Sequence, residues 1–490
     1  MVAMALVALE GTIIATAVPS IVDDLGGFRD FPWLFSVYLL AQAVTMPLYS
    51  RAADAVGRKP VILIGIMVFV VGSVLCGLAW NMPVLIAARA AQGIGAGAIQ
   101  PITTTILGDL FELEDRARVQ GYMATVWGVS SVLGPALGGL FSEFLSWRWI
   151  FLLNAPIGAV ALWMLVKHFD ERITRQPARV DVLGAATLTT GCSLCILGLL
   201  SGGTTWAWGS TTSIGIFAVG AASLAVFVFA ERRAAAPVLP LWIFRRRVLL
   251  AGNLSAVSIG ALTIGVAAYL PTYIQVVHRT GPLEAGFALA AMTLGWPIAT
   301  TQSGRLYLRI GVRATALIGT ALTVAGVLVL VALTPASGVA TIAGACFVIG
   351  LGLGLTSMPV TVALQSVVGW SQRGVVTGTN MFARSIGSAA GVAGFAAVAD
   401  HELSRRLASA PAALGGDLGA SGDAFISAAR AAGDSAAGAF LRASMHESTH
   451  QVFRALLVVT VLGGLFRLFI PRQIRPVTIP PPRLGDPDGP

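Results

Sequence analysis

Long apolar segments with almost no charged residues run through the chain and constrain its fold more than any other feature. Fourteen of them approach the roughly 20 residues that an α-helix needs to cross a bilayer. Only 11% of the residues are charged and 56% are hydrophobic, which is too little charge for a soluble surface. We therefore expect an all-α integral membrane protein. The predicted spans are 1–19, 32–50, 60–80, 83–107, 118–142, 148–167, 182–201, 211–230, 248–277, 283–304, 312–333, 338–366, 374–398 and 452–470.

The basic residues between the spans predict how the chain lies in the membrane. With both termini in the cytoplasm, 21 of the 32 basic residues fall in cytoplasmic segments, 7 fall outside and 4 lie within spans. An inner excess of this kind is typical of multi-pass proteins. Only Lys59 and Lys167 are lysines, which favours a GC-rich, bacterial genome. We predict a protein of the bacterial plasma membrane, and the scattered basic residues form no patch for nucleic acid.

Two loops that lie 254 residues apart share a basic pattern marked by glycine. Residues 50–59 read SRAADAVGRK and residues 304–313 read GRLYLRIGVR. Parallel repeats in two halves are typical of transporters. The repeat predicts six spans, two inserted spans and six further spans. The expected parts are an N-terminal bundle over 1–167, two linker helices over 168–247, a C-terminal bundle over 248–470 with a long outer loop over 399–450, and a disordered tail over 471–490.

Five short patterns occur in order along the first half. They are ALEGTIIATAVP over 8–19, the 50–59 loop, RAAQGIGAG over 89–97, GVSSVLGPALGG over 128–139 and WRWIFLLNAPIG over 147–158. In order and placement they resemble the fourteen-span drug:proton antiporters of the major facilitator superfamily. The likeness covers nearly all of the chain up to about residue 398, and also the last span. It departs at Ser50, where glycine is usual, and at Ala55, where arginine is usual.

This resemblance implies a major facilitator fold with two pseudo-symmetric six-helix bundles. It also implies proton-coupled export of hydrophobic or cationic small molecules, without a cofactor, by alternating access. The expected partners are the small-molecule substrates, protons and the lipid bilayer, and the expected state is a monomer. Export of one native metabolite or lipid is the alternative within the same class. A non-transporting receptor or a membrane-bound enzyme is the alternative from another class, and we expect neither.

Glu10 is the only acid deep inside a predicted span. An ionised carboxylate there costs about 2.5–3.5 kcal/mol or more, and intramembrane ionisable residues are functional by default. We therefore predict that Glu10 is the proton-linked acid, and a structural acid paired with a basic residue is the alternative. Arg89 and Arg384 are the other candidates for proton coupling. The resemblance implies a relay role for Arg89, whereas a helix-packing role is equally open for Arg384.

The loop after the second span is the candidate gate. The resemblance implies that Asp54 meets the start of span 13 near Gly374, where free N–H groups favour an anion. Arg58 and Lys59 are expected to pair with nearby acids such as Asp109. Gate residues are thus Asp54, Gly57, Arg58, Lys59 and Asp109. A solvated loop that carries only orienting charges is the alternative.

Small residues in the fifth span predict close helix packing or a hinge. They are Gly128, Gly134, Pro135, Gly138 and Gly139. Spacing of this kind lets helices approach closely, and a proline removes one backbone donor. A substrate pocket is expected near the bilayer midplane, where aromatic and Met side chains accept varied apolar molecules. Its candidate residues are Gln42, Trp127, Gln275, Trp296, Gln365, Asn380 and Met381, and ordinary core packing is the alternative for each.

One further pattern matches a metal-binding motif without its context. His446-Glu447-Ser-Thr-His450 reads HExxH, the helix motif of zinc proteases. It stands just before the last predicted span, and no third ligand follows at a suitable spacing. We therefore predict neither a metal site nor an enzyme.

Overall fold

The computed structural model describes residues 1–25, 32–111, 113–171, 181–202, 206–234, 237–280, 282–408 and 435–471. Within these ranges the chain forms sixteen α-helices and one 3-10 turn at Trp370–Gln372. The helices are α1 (Val2–Leu25), α2 (Pro32–Val56), α3 (Arg58–Gly77), α4 (Met82–Leu110), α5 (Leu113–Phe144), α6 (Arg148–Leu152), α7 (Asn154–His168), α8 (Val182–Ser201), α9 (Thr211–Glu231), α10 (Trp242–Arg245), α11 (Arg247–Val277), α12 (Pro282–Ile310), α13 (Val312–Val331), α14 (Val339–Ser366), α15 (Arg373–Ala408) and α16 (Ala436–Arg467).

Every predicted span overlaps a helix, but the helices differ in how well they suit a membrane. Among the described residues, nine helical segments are long and apolar enough to cross a bilayer. They are Arg58–Gly77, Met82–Leu110, Arg148–His168, Thr211–Glu231, Arg247–Val277, Val312–Val331, Val339–Ser366, Arg373–Arg406 and Ala436–Arg467. The all-helical membrane fold is therefore present, while the count of fourteen spans stays a prediction.

The segment 399–450, predicted as an outer loop, is helical at both ends. Helix α15 continues to Ala408 and helix α16 begins at Ala436, so the loop prediction is wrong at these two ends. Glu402 accepts hydrogen bonds from Arg405 at 2.8 Å and Arg406 at 3.0 Å, one turn along α15, and such pairs stabilise a helix beyond its apolar part. The rest of the loop, 409–434, and the predicted tail from 472 lie outside the described residues.

The long helices pack as two groups with α8 and α9 beside them. In the first group α1 contacts α5, and α4 contacts both α2 and α3. In the second group α11 contacts α15 and α16, while α14 contacts α12 and α13. The two groups contact each other where α2 packs against α15 and where α5 packs against α12. These two contacts flank the interface between the groups. Phe382 of α15, Val44 of α2, and Leu188 and Phe227 of the inserted helices share one apolar cluster at its edge.

The two repeated loops have the same backbone conformation at their glycines. Gly57 has φ 108° and precedes α3, and Gly311 has φ 87° and precedes α13. Glycine adopts positive φ readily, whereas a side chain there costs about 1–2 kcal/mol. Among the described glycines these two alone have positive φ, and they stand 254 residues apart. The repeat seen in the sequence is therefore also a repeat of backbone geometry.

Candidate transport site

Glu10 forms a buried ion pair with Arg89 inside the first helix group. The Glu10 side chain is 0% exposed and that of Arg89 is 1% exposed. Arg89 Nη1 donates to Glu10 Oε1, and Asn154 Nδ2 donates to Glu10 Oε2 at 2.6 Å. Both carboxylate oxygens thus have donors, as a buried charge requires. Two of the three residues that the sequence proposes for proton coupling, Glu10 and Arg89, are thus in direct contact, although they come from α1 and α4.

A network of polar side chains surrounds this pair. Arg89 Nε donates to the carbonyl oxygen of Leu34 at 3.0 Å, and its Nη1 also donates to Gln92 Oε1 at 2.6 Å. Gln92 Nε2 donates to Ser73 Oγ at 2.5 Å, and this hydroxyl also accepts from Asn154 at 3.0 Å. The network therefore joins α1, α3, α4 and α7 through side chains that are buried within the bundle.

Local features of the sequence place these groups. Arg89 and Gln92 are three residues apart on α4, so they share one helix face. Tyr38 of α2 places its ring 4.2 Å from the guanidinium carbon of Arg89. Leu153, between α6 and α7, keeps helical dihedral angles, so the two helices run on as one segment, and the Asn154 side chain reaches Glu10 from it. Sequence reasoning missed Ser73, Tyr38 and the role of Asn154, and their only signal was polarity inside apolar segments.

Asp54 joins the two helix groups at the end of the bundle where α2 and α3 meet. Its Oδ1 accepts from the backbone N–H of Gly374 at 3.0 Å, and its Oδ2 accepts from that of Val375 at 2.7 Å. Arg58 Nη2 lies 3.1 Å from Asp54 Oδ1. Burial raises the pKa of Asp54 to about 7, while Arg58 and the two N–H groups oppose this rise by stabilising the carboxylate. The carboxyl can therefore exchange a proton near neutral pH.

Asp109 continues this contact between the groups. Its Oδ2 lies 3.3 Å from Arg58 Nε, and its Oδ1 accepts from Arg373 Nη1 at 3.0 Å. Arg58 also donates to the carbonyl oxygen of Trp370 at 2.9 Å and stacks over its ring at 3.6 Å. Charges of the first group thus hold the start of α15 through at least three side chains. We call Asp54, Arg58, Asp109 and Arg373 the charged lock.

Lys59 stands apart from the charged lock. Its ammonium group pairs with Asp170 at 3.6 Å and donates to the carbonyl oxygen of Val166 at 3.2 Å. Lys59 thus pairs with an acid, as expected, but the acid is Asp170 and not Asp109, because the next residue of a helix points about 100° away from Arg58. Glu171 instead accepts from the backbone N–H groups of Arg58 at 2.9 Å and Lys59 at 2.7 Å, at the start of α3.

The small residues of α5 lie at two different contacts. A Cβ atom at Gly134 would collide with Thr12 of α1, whose hydroxyl donates to the carbonyl oxygen of Ser130 at 2.9 Å. Gly128 faces α12, where the nearest atoms to an added Cβ belong to Thr293 and Pro297. Gly138 is buried. The surroundings of Pro135 and Gly139, both within α5, lie outside the described residues.

The predicted pocket residues divide into several local environments. Gln365 is fully buried and donates to Thr377 Oγ1 at 3.0 Å. Asn380 donates to the carbonyl oxygen of Gly252 at 3.0 Å and so ties α15 to α11. Gln42 is buried beside α4, and Trp296 packs on the core of the second group. The half-buried members are Trp127, Gln275 and Met381. The structure thus gives Gln365 and Asn380 structural contacts, and a pocket formed by the seven residues stays a prediction.

The HExxH pattern lies on α16, packed against α11. The rings of His446 and His450 are 4.1 Å apart, and the hydroxyl of Tyr273 is 3.0 Å from His446 Nδ1. Among the residues that the structure describes, His, Cys, Asp and Glu side chains form no group of three suited to a metal ion.

The described helices thus form two groups that the charged lock joins, with a buried ion pair inside the first group. The chain belongs to the major facilitator superfamily, whose sequence model matches residues 1–392. It is 34% identical to Multidrug resistance protein 3 of Bacillus subtilis over 84% of this chain and 80% of that protein. It is 30% identical to the multidrug transporter protein MdtP of the same organism over 96% of this chain and 91% of that protein.

Two further comparisons agree with this family. The efflux pump dotC of Dothistroma septosporum is 31% identical over 86% of this chain and 74% of that protein. The crystal structure of the human organic anion transporter MFSD10 (TETRAN) matches with a TM-score of 0.64, over 95% of this chain and 97% of that one. Only 14% of the residues are identical in that pair, so the likeness is one of fold. The protein is a multi-pass membrane transporter.

Proposed function

We propose that this transporter exports hydrophobic small molecules in exchange for protons, by alternating access. The observation that carries the proposal is the buried pairing of Glu10 with Arg89, because intramembrane ionisable residues are functional by default. Similarity to proteins named for multidrug resistance and efflux supports drugs as substrates. The termini are proposed to lie in the cytoplasm.

Protonation of Glu10 would remove the charge that holds Arg89. The guanidinium of Arg89 must then be satisfied by Gln92, Leu34 and Tyr38 alone. Asn154 would also lose a charged acceptor at 2.6 Å. Since Glu10 and Asn154 stand on different helices, this loss would loosen α1 against α7. Proton binding thereby changes the packing of the first group.

The charged lock would close the cytoplasmic side in this scheme. Opening requires Asp54 to give up two backbone N–H donors, Arg58 to separate from Trp370, and Asp109 to separate from Arg373. A charge at a helix N-terminus contributes about 0.3–1 kcal/mol, or up to about 2 when partly buried. Contacts of this size suit alternating access, because the two states must be close in free energy.

Proton release from the purified protein in liposomes tests the proposal. Addition of a hydrophobic drug should release protons from the wild-type chain and none from Glu10→Gln. Glu231→Gln is the matched control, because Glu231 is also buried but accepts from the backbone N–H of Leu239, far from Arg89. Wild-type proton release in Glu10→Gln, or an equal loss in Glu231→Gln, contradicts the assignment.

A further inference from the structure

Arg384 lies about a third of the way along α15, near the middle of the predicted span 374–398, on the side that faces the interior of the bundle. It follows the start of α15 at Arg373 by eleven residues, or about 16 Å of helix, which is half of the roughly 30 Å hydrocarbon layer. At 100° per residue, Arg384 stands between the face that meets α11 and the face that meets α2. Asn380 marks the first face and Gly378 marks the second.

The opposite side of α15 is the one that faces outward. Ala390 is exposed, and an added Cβ at Gly394 would meet no atom within 4 Å. Arg384 lies about a quarter turn or more away from both residues. The backbone carbonyl oxygen of Arg384 packs against Gly260 of α11, which fixes the position of Arg384 along the axis of the bundle. The guanidinium therefore belongs to the interior between the helix groups.

Arg384 has no counter-charge. Its side chain is enclosed by protein, yet among the described residues its guanidinium takes part in no ion pair or hydrogen bond. The residue is half-buried, and its nitrogen atoms are not among the buried unsatisfied ones, so they keep access to space inside the bundle. A permanent charge in this position needs a partner, because arginine cannot lose its proton.

The other buried arginines of the described chain all have partners. Arg89 pairs with Glu10, and Arg58 lies beside Asp54. Arg467 donates to the hydroxyl of Ser255 at 2.8 Å and, through Nη1, to a threonine hydroxyl of α13. The interior therefore presents a cation at Arg384, while the carboxylate of Glu10 is already neutralised.

From this asymmetry we infer that Arg384 binds an acidic group of the exported molecule. This inference rests on the proposed export of hydrophobic small molecules and names their class: amphiphiles with a carboxylate, sulfonate or phosphate on an apolar body. A guanidinium offers a planar fork of N–H donors that fits two oxygens of such a group. Met381, half-buried one helix turn earlier, supplies an adaptable apolar contact nearby.

Binding of matched fluorescent probes to the full chain in lipid nanodiscs tests the inference. The probes are a dansylated long-chain fatty acid, its uncharged amide, and the cation dansylcadaverine. The wild-type chain should bind the acid more tightly than the amide. Arg384→Gln should weaken acid binding by about 10- to 100-fold, because charged hydrogen bonds are lost, and should leave amide binding within about twofold. Arg454→Gln, at a half-exposed position of α16, is the control and should change neither.

Several results would overturn the site. Equal affinity of the wild-type chain for acid and amide does so without any variant, as does tighter binding of the cation than of the acid. If Arg384→Gln does not fold, the test uses Arg384→Lys, which keeps the positive charge. This variant should still prefer the acid to the amide, and its affinity for the acid should fall by less than the loss expected when the charge is removed. Complete loss of the acid preference in that folded lysine variant also contradicts the inference.

Transport of the same probes into liposomes separates this inference from the proposed function. Binding of the acid that depends on Arg384, without transport of any probe, refutes export and keeps the anion site. Transport of amide and cation, with no preference for the acid, refutes the anion site and keeps export.

Discussion

Replacing Glu10 by glutamine is expected to destabilise the protein strongly. The substitution keeps the size of the side chain but leaves Arg89, which is 1% exposed, without a counter-charge. It also turns an NH2 group towards Asn154 Nδ2, a donor that lies 2.6 Å from Glu10 Oε2. Removing one partner of a buried ion pair costs about 3–5 kcal/mol. For a chain of 490 residues the conversion is roughly 1 °C per kcal/mol, so the melting temperature should fall by about 3–5 °C.

The double variant Glu10→Gln/Arg89→Gln makes this prediction specific. It removes both charges together, and the remaining neutral hydrogen bonds differ by only about 0.5–1.5 kcal/mol each. We expect the melting temperature of the double variant to fall by much less than the sum of the falls in the two single variants, because substitutions of residues in direct contact are not additive. Thermal unfolding of the purified protein, followed by tryptophan fluorescence, gives the four melting temperatures. Falls in melting temperature that add up in the double variant would contradict the pairing. A single variant with the melting temperature of the wild-type protein would contradict it as well.

Three other predictions concern the loops. Asp54→Asn should weaken the charged lock, because an NH2 group cannot accept a hydrogen bond from the second backbone N–H. Spin-label distances between the starts of α3 and α15 should then lengthen, and unchanged distances would contradict the lock. Gly57→Ala should cost about 1–2 kcal/mol at its positive φ, whereas Gly286→Ala, in an open stretch of helix, should be neutral or stabilising in the same melting assay. For the proposed orientation, a membrane-impermeant thiol reagent should label Ala336→Cys but not Ala234→Cys in intact cells, and the reverse pattern would invert the topology.

The sequence predicts the positions of the helices because hydropathy is a local property. It misplaces the ends of α15 and α16, since hydropathy indicates where lipid begins and not where a helix stops. Glu402 and its arginine neighbours read as loop for this reason, although their hydrogen bonds extend α15 by more than two turns. Only the spacing of three and four residues between Glu402 and the two arginines, which is typical of a helix, could have predicted this extension.

Pairings between distant residues were harder to predict. Glu10 and Arg89 each stand out as buried charges, but their contact depends on how α1 packs beside α4. The contact of Asp54 with the start of α15 was expected only through the family resemblance. Asp170 was not predicted as the partner of Lys59, because it lies just after α7 and no local sequence pattern relates that place to the loop.

The equal geometry of Gly57 and Gly311 has a consequence for the history of the chain. A duplicated ancestor would have carried the same loop twice, and each copy was then free to diverge. The positions that correspond to Asp54 and Arg58, 254 residues on, hold Leu308 and Val312. The second loop is still basic, with Arg305, Arg309 and Arg313, but apolar residues stand at the two positions that form an ion pair in the first loop, and both loops have the glycine with positive φ. The two loops are therefore alike in backbone shape and unlike in charge, and the charged lock is built on the first of them.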